Sequence, residues 1–214
     1  MAINMGTMGI SSTGGTNNIL NLQKNDILDL TKKNPSLNNL IVGTGWDVVK
    51  PKGLFGGLFG SGSDYDLDLF ALKLDSEGKL MSKGIVYFGA KIHEGIHSTG
   101  DNLTGEGEGD DEQIIVNLDK LPVDCERIVF AVAIYQANQR GQKFSNVENA
   151  FVRLVDMDKG RSGEEICRFN LTENGGDNTA IIMAELIKNN GNWSFKAIGQ
   201  YLKANIEQIS RMYI

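Results

Sequence analysis

A run of thirteen residues from Gly100 to Glu112 constrains the fold more than any other part of the sequence. It holds six carboxylates and four glycines, and no Lys or Arg lies between Lys91 and Lys120. Six like charges this close repel one another, so an ordered loop of this composition needs a cation. Ca²⁺ takes about six to eight oxygen ligands, and glycine lets the backbone curl so that its carbonyls point inward. The run is therefore a candidate calcium loop; the alternative is a solvated acidic loop or linker.

A second group of carboxylates opens the strand-like segment Asp64–Leu74. In an extended chain the side chains of Asp64, Asp66 and Asp68 share one face. Three carboxylates on one face of an otherwise apolar strand are costly to bury without a cation. The alternative is a strand that begins in solvent. Beside the acidic run, this strand is the natural second half of a metal site.

Composition limits the class of protein. The chain has 214 residues and a net charge of −6, with no basic cluster, which argues against a partner that is nucleic acid. Cys125 and Cys167 lie in or beside apolar runs and are predicted to be buried, reduced thiols. The first residues lack the pattern of a signal peptide, and no apolar run reaches the length of a membrane span. These features predict a cytoplasmic protein with no transmembrane segment.

Short apolar segments separated by turn residues predict a mainly β fold. Arg127–Tyr135 is the most apolar run and is predicted to be a central buried strand. Two late segments are predicted to be helical: 178–188, rich in helix formers before Gly191, and 200–214, where apolar residues recur at helical spacing. About nine or ten strands with one or two helices near the C-terminus predict a β-sandwich of two sheets. The predicted strands lie in 19–30 (two strands), 40–42, 64–74, 84–91, 113–118, 127–135, 150–155, 165–171 and 193–198.

Two segments stand apart from this pattern. Residues 1–18 are rich in Gly, Ser, Thr and Asn and are predicted to be a flexible N-terminal segment. Residues 51–63 form a Gly-rich insertion that repeats a Leu-Phe pair. The insertion is either a mobile hairpin tip with chance apolar residues or an exposed apolar loop for a partner or a membrane surface. Its glycine content favours the first interpretation.

An enzymatic alternative rests on the only two histidines. The segment from His93 to His97 matches the His-Glu-x-x-His pattern of zinc peptidases, which binds zinc only when a helix places both histidines on one face. Gly95 interrupts the motif and a strand pattern precedes it, so we predict that neither histidine is a zinc ligand. A metal-dependent hydrolase that uses the acidic cluster or this pair remains the alternative function. A structural Ca²⁺ site fills its shell with protein oxygens, whereas a catalytic site keeps an open position and a nearby base.

Several motifs together resemble the TerD family, the tellurite-resistance and calcium-binding stress proteins of bacteria. They are Gly43-Thr-Gly-Trp-Asp47, Asp66-Leu-Asp68, the run from His97 to Glu112, and Asn149-Ala-Phe-Val-Arg153. The resemblance implies a calcium-binding β-sandwich domain over 19–199; the amphipathic C-terminal helix predicted over 200–214 is a departure from the family pattern. It also implies a non-enzymatic, cytoplasmic role in stress or tellurite resistance, through protein partners or a membrane-associated stress complex. The oligomeric state stays open.

The resemblance also implies a ligand set for one or two Ca²⁺ ions, because the number of matching positions exceeds one coordination shell. Asp47 is a weaker candidate, since it could equally cap a turn. The implied ligands are Asp66, Asp68, Asp101, Asn102, Gly105, Glu106, Gly107, Asp110, Asp111 and Glu112.

Overall fold

The computed structural model describes residues 19–49, 65–99, 109–160 and 162–214. They form two β-sheets that pack face to face, which confirms the predicted β-sandwich. The seven-stranded sheet has the order β1-β11-β10-β3-β8-β7-β6 and the six-stranded sheet the order β2-β13-β12-β9-β4-β5. The strands are β1 Leu20–Leu22, β2 Ile27–Asp29, β3 Asn39–Val48, β4 Leu67–Leu74, β5 Leu80–Val86, β6 Ile92–His93, β7 Ile96–Ser98, β8 Glu112–Asn117, β9 Arg127–Ile134, β10 Val147–Asp156, β11 Glu164–Asn170, β12 Ala180–Asn189 and β13 Asn192–Leu202. Two short α-helices, α1 Ala137–Arg140 and α2 Ile206–Arg211, and two 3₁₀ turns, Leu118–Lys120 and Phe144–Asn146, complete the described chain.

The six-stranded sheet is buried on both faces. Its inner face joins the main core between the sheets, to which Leu69 and Phe130 contribute. Its outer face carries a second cluster that includes Phe70, Val129 and Ile209, the last of these from α2. Central strands that are covered on both sides read as continuous apolar runs, which is why Arg127–Tyr135 could be predicted correctly.

The predicted helix over 178–188 is wrong: residues 180–188 belong to β12, between β9 and β13. Because β12 is buried on both faces, its sequence shows no alternation, and periodicity alone does not distinguish such a strand from a buried helix. Gly191, interpreted as a helix stop, instead forms a two-residue hairpin turn with Asn190. Both residues have positive φ, 50° and 79°, as a turn of type I′ requires.

The C-terminal segment is only partly helical. Strand β13 continues to Leu202, and α2 begins after Asn205, whose side chain forms a capping box with Gln208. Ile209 of α2 is fully buried against the outer face of the six-stranded sheet. The helix therefore docks on its own domain, as its apolar spacing predicts.

The predicted strand over 84–91 is also shorter than expected. Strand β5 ends at Val86, and β6 and β7 form a hairpin that turns at Gly95, where φ is +76°. Both histidines therefore lie on a β-hairpin and not on a helix.

Residues 1–18 and the 51–63 insertion, with their predicted properties, lie outside the described residues. In the part of the chain that is described, no helix is long and apolar enough to cross a membrane.

Both cysteines are buried free thiols, as predicted. Burial raises the pKa of the Cys125 thiol to about 11 and that of the Cys167 thiol to about 12. Neither thiol therefore provides a thiolate at neutral pH, which is the form that acts as a nucleophile or metal ligand.

Candidate metal centre

The acidic run enters and leaves at one end of the sandwich. The backbone N–H of Thr99 donates to the carbonyl of Gln113 at 3.1 Å, and that of Asp111 donates to the carbonyl of Thr44 at 2.8 Å. The two ends of the run are thus fixed beside β8 and β3. The segment 100–108 lies outside the described residues and contains five of the predicted ligands, namely Asp101, Asn102, Gly105, Glu106 and Gly107.

Glu112 connects the two sheets at this end. It lies in β8 of the seven-stranded sheet, is 5% exposed, and its carboxylate accepts a hydrogen bond from the backbone N–H of Leu69 in β4. The pairing of β4 with β5 reaches only to Ala71, so no strand among the described residues lies beside Leu69 on this edge of β4. The Glu112 carboxylate occupies that gap. It therefore lies at the residue that follows Asp68 in the chain.

The carboxylates of β4 are buried at the same end. Asp66 and Asp68 are 9% and 4% exposed. The carbonyl of Asp66 accepts from the N–H of Tyr135 at 2.8 Å, and Asp68 lines a groove on the outer face of the six-stranded sheet. Burial of Asp66, Asp68 and Glu112 at one end is the feature of the described structure that fits a cation best, because buried carboxylates need compensating charge.

Asp111 precedes Glu112 but contacts β3 and lines a different cavity from Asp68. Its carboxylate accepts from the backbone N–H of Trp46 at 2.8 Å. Asp111, Asp47 and Gly109 all line a polar cleft of about 750 Å³. Asp47 itself accepts from Asn149 Nδ2 at 2.7 Å, so it has a local structural role in addition to its place in the cleft.

Asp110 has a different environment from its neighbours. Its side chain is fully buried and makes a bidentate ion pair with Arg153 of β10, at 2.7 and 3.0 Å, and a 2.9 Å bond from Gln113 Nε2. These hydrogen bonds raise the pKa of the Arg153 guanidinium above its ordinary value, against the opposing effect of burial. The sequence around the acidic run contains no neutralising cation, but the fold brings one from 43 residues away. Asp110 as a metal ligand stays a prediction.

The Arg153 pair extends into a network across the outer face of the seven-stranded sheet. Arg153 also binds Glu165 at 2.9 Å, Glu165 binds Arg168 at 2.8 Å, and the Arg168 guanidinium lies 4.2 Å from the centre of the Phe151 ring. Burial raises the pKa of Glu165, but the hydrogen bonds from Arg168 and Arg153 outweigh it, and the pKa lies below its ordinary value. Sequence reasoning did not identify this network.

Close approaches explain the Gly-Thr-Gly-Trp motif. The Asp110 carboxylate lies directly over Gly43, where any side chain would collide with it. A Cβ on Gly45 would lie 2.6 Å from the Phe151 ring and 2.8 Å from the carbonyl of Gly109. The glycine pattern was therefore a signal for these contacts. The indole N–H of the next residue, Trp46, is buried and has no hydrogen-bond partner among the described residues.

Two observations bear on the chemistry of the site. Among the described residues, no three His, Cys, Asp or Glu side chains are close enough to hold a metal by themselves. An ion at this end therefore needs further oxygen ligands, and the segment 100–108 carries the remaining predicted ones. The histidine form of the hydrolase alternative has no support, because the hairpin replaces the required helix and His93 Nδ1 lies 2.5 Å from Lys73 Nζ.

Relatives were found by sequence. The chain is 44% identical over 188 residues to tellurium resistance protein TerZ of Serratia marcescens, an alignment that covers 85% of this chain and 89% of that protein. It is 40% identical over 198 residues to general stress protein 16U of Bacillus subtilis, with coverage of 91% and 96%.

A similar fold is found in a solved structure. The crystal structure of a homologue of telluride resistance protein TerD from Streptomyces coelicolor matches with a TM-score of 0.59 and 21% identity, over 82% of this chain and 96% of that one. The model of the TerD domain matches residues 19–213, which include α2. The chain belongs to the TerD family.

Proposed function

We propose that this protein is a cytoplasmic, non-enzymatic Ca²⁺-binding protein of the stress response, which acts through calcium-stabilised loops and protein partners. The observation that carries the proposal is the burial of Asp66, Asp68 and Glu112 at the end of the sandwich where the acidic run enters. Relatives named for tellurium resistance and general stress support the role in resistance or stress.

Electrostatics supports a cation at this end. Two carboxylates about 4 Å apart repel by roughly 4 kcal/mol at an effective dielectric of about 20. The acidic run carries six carboxylates, of which Glu112 reaches β4 beside Asp68 and Asp110 forms an ion pair with Arg153. A divalent ion that several oxygens share would turn mutual repulsion into attraction.

The chemistry of the ligands favours Ca²⁺ over Mg²⁺. Carboxylates, an asparagine amide and glycine carbonyls suit a large and irregular shell, whereas Mg²⁺ demands a near-ideal octahedron and releases water reluctantly. The predicted ligands are numerous enough for one or two ions. A shell closed by protein oxygens also fits a structural role, since a catalytic ion needs an open position.

The partner proposed here is a protein, in solution or in a membrane-associated stress complex. A net charge of −6 gives no basis for binding nucleic-acid phosphates. A calcium-dependent loop conformation at one end of a rigid sandwich would allow partner binding to follow calcium.

The test is calorimetric titration of chelator-treated protein with Ca²⁺, and separately with Mg²⁺ and Zn²⁺. We expect saturable Ca²⁺ binding, weaker Mg²⁺ binding, and a loss of at least about tenfold in Ca²⁺ affinity for Asp68→Asn, since one charged ligand is removed. Glu77→Gln is the matched control, because Glu77 is an exposed carboxylate in the turn after β4 and pairs only with Lys79 among the described residues. Equal binding of Mg²⁺, or unchanged affinity in Asp68→Asn, would overturn the proposal.

A further inference from the structure

One buried amine has no part in the proposed calcium site. Lys73 lies on β4 and is completely buried. Its Nζ is 2.5 Å from His93 Nδ1 and donates to the carbonyl of Glu94 at 3.2 Å. Both acceptors belong to the β6–β7 hairpin at the edge of the other sheet. In the described part of the chain, these two contacts are the hydrogen bonds that join this hairpin to the six-stranded sheet.

The rest of the hairpin is held mainly by its own sheet: Ile96 is buried in the main core, and the carbonyl of Gly95 accepts from the N–H of Asn117 at 2.7 Å. Strand β6 has two residues and pairs only with β7, and Ile92 is 72% exposed. Strand β7 pairs with β8 and continues through Thr99 to the acidic run. The hairpin thus leads into that run through Thr99, whose N–H donates to the carbonyl of Gln113 in β8.

The contact requires a neutral histidine. A lysine ammonium has donors only, so it binds Nδ1 through the lone pair of that nitrogen, and the imidazole proton is then on Nε2. A second proton would place an N–H on Nδ1 opposite the ammonium, with two positive charges about 2.5 Å apart. The contact would then break.

We propose that the Lys73–His93 contact is an acid-sensitive latch that holds the β6–β7 hairpin against the six-stranded sheet and opens when His93 takes up a proton. Opening the latch should also weaken calcium binding, because β7 leads directly to the acidic run. This consequence rests on the function proposed above.

The charged surroundings favour a closed latch at neutral pH. His93 faces Lys73 from β4, Glu94 from its own hairpin and Lys83 from β5; Lys73 also faces Asp124 and Cys125, which precede β9. Burial, then Lys73, lower the pKa of His93 below its ordinary value, while Glu94 opposes them. Burial also lowers the pKa of Lys73, against the effects of Cys125, Glu94 and Asp124.

The direction of the effect follows from linkage. Because the pKa of His93 is lower in the folded chain, the unfolded or open form binds more protons below the ordinary histidine value of about 6.5. The stabilisation from the latch is therefore complete above about pH 6.5 and is lost as the pH falls from there through the folded pKa.

The test is hydrogen–deuterium exchange of the hairpin in the full chain with chelator present, at about pH 7.5 and about pH 5.5, corrected for intrinsic exchange. With an ordinary histidine pKa of about 6.5 in the open form, linkage limits the effect, so we expect hairpin protection to fall by up to about tenfold in acid. His93→Asn keeps an oxygen acceptor that does not titrate and should retain its protection. His97→Asn changes the other histidine, which is exposed, and should behave as wild type.

Two further measurements make the outcome decisive. Lys73→Met removes the ammonium and should also abolish the extra acid sensitivity, which keeps the test valid if His93→Asn does not fold. Ca²⁺ titration at both pH values then reports the coupling. Equal acid sensitivity in wild type and both latch variants would overturn the latch. A pH-dependent hairpin in a protein that binds no Ca²⁺ would leave the latch in place and reject the proposed function.

Discussion

At the residue scale, the buried pair of Asp110 and Arg153 gives one of the predicted metal ligands a structural role. The Asp110 side chain is fully buried, whereas Arg153 is 25% exposed. Removing one partner of such a pair leaves an uncompensated buried charge, which costs about 3–5 kcal/mol. We predict that Arg153→Met lowers the free energy of unfolding by about 3 kcal/mol in the presence of chelator, as measured by urea denaturation.

A surface ion pair provides the control for this prediction. Lys143 binds Asp177 at 2.7 Å, but both side chains are about half exposed or more, at 49% and 64%. Lys143→Met should therefore change stability by only about 0–1 kcal/mol. Similar losses in the two variants would mean that the buried pair contributes no more than an exposed one.

The Asp110 pair also shows what the sequence could not reveal about the site. The spacing of Asp66, Asp68 and the acidic run predicted correctly that Glu112 and the start of β4 meet at one end of the fold. The Asp110 pair depends on a register between strands β3 and β10 that local sequence does not encode, because its two residues lie 43 positions apart. In the sequence, only the glycines at Gly43 and Gly45 indicate that other groups approach β3 closely at these positions.

At the element scale, strands were predicted well where local sequence alternates and poorly where distant pairing decides the structure. Strand β8 alternates buried and half-buried residues and was placed almost correctly. Strand β12 is buried on both faces, so its pairing partners override its helix-favouring composition. The Asn-Gly pair after β12 favours a type I′ hairpin turn, and it is stronger evidence for a strand than the helix-forming composition is for a helix.

The C-terminal helix is predicted to stabilise the outer face of the six-stranded sheet. Ile209 is fully buried in the outer cluster, whereas Met212 in the same segment is 54% exposed. Truncating a buried isoleucine costs about 2–5 kcal/mol. Ile209→Ala should therefore lower the urea midpoint strongly and Met212→Ala only slightly. Equal effects would indicate that α2 does not dock in solution as it does here.

The insertion at 51–63 is predicted to be dispensable for folding. The flanking residues meet at one place: Val49 N–H donates to the carbonyl of Asn146 at 2.9 Å, and the Tyr65 hydroxyl lies 3.0 Å from Asn146 Nδ2. Both flanks are thus held by Asn146 without the insertion, and shortening a loop to a Gly-Ser turn changes the closure entropy little. We expect an unchanged thermal transition and a Ca²⁺ affinity within a few-fold. A collapsed transition would mean that Phe55 or Phe59 contributes to the core.

At the scale of the whole molecule, metal and fold should be coupled without being inseparable. The main core contains Phe130, Val152 and Phe195, which are fully buried far from the acidic run in sequence. We therefore expect the sandwich to stay folded without a metal. Without the proposed cation, the carboxylates at one end would repel one another, so the metal-free protein should be folded but less stable.

Calcium bound to the native form alone stabilises it by mass action, by about 2.7 kcal/mol at a hundredfold excess over the dissociation constant. For a chain of this size, each kcal/mol shifts the melting temperature by about 2–4 °C, so Ca²⁺ should raise it by about 5–10 °C over chelator-treated protein. Asp68→Ala should lose most of this shift, because Asp68 is a buried ligand candidate at the site. Asp177→Ala should keep it, because Asp177 is an exposed carboxylate paired with Lys143. The measurement is thermal unfolding of all three proteins with calcium and with chelator. If the wild-type curves coincide, the acidic run is a solvated loop and calcium has no part in the stability of this fold.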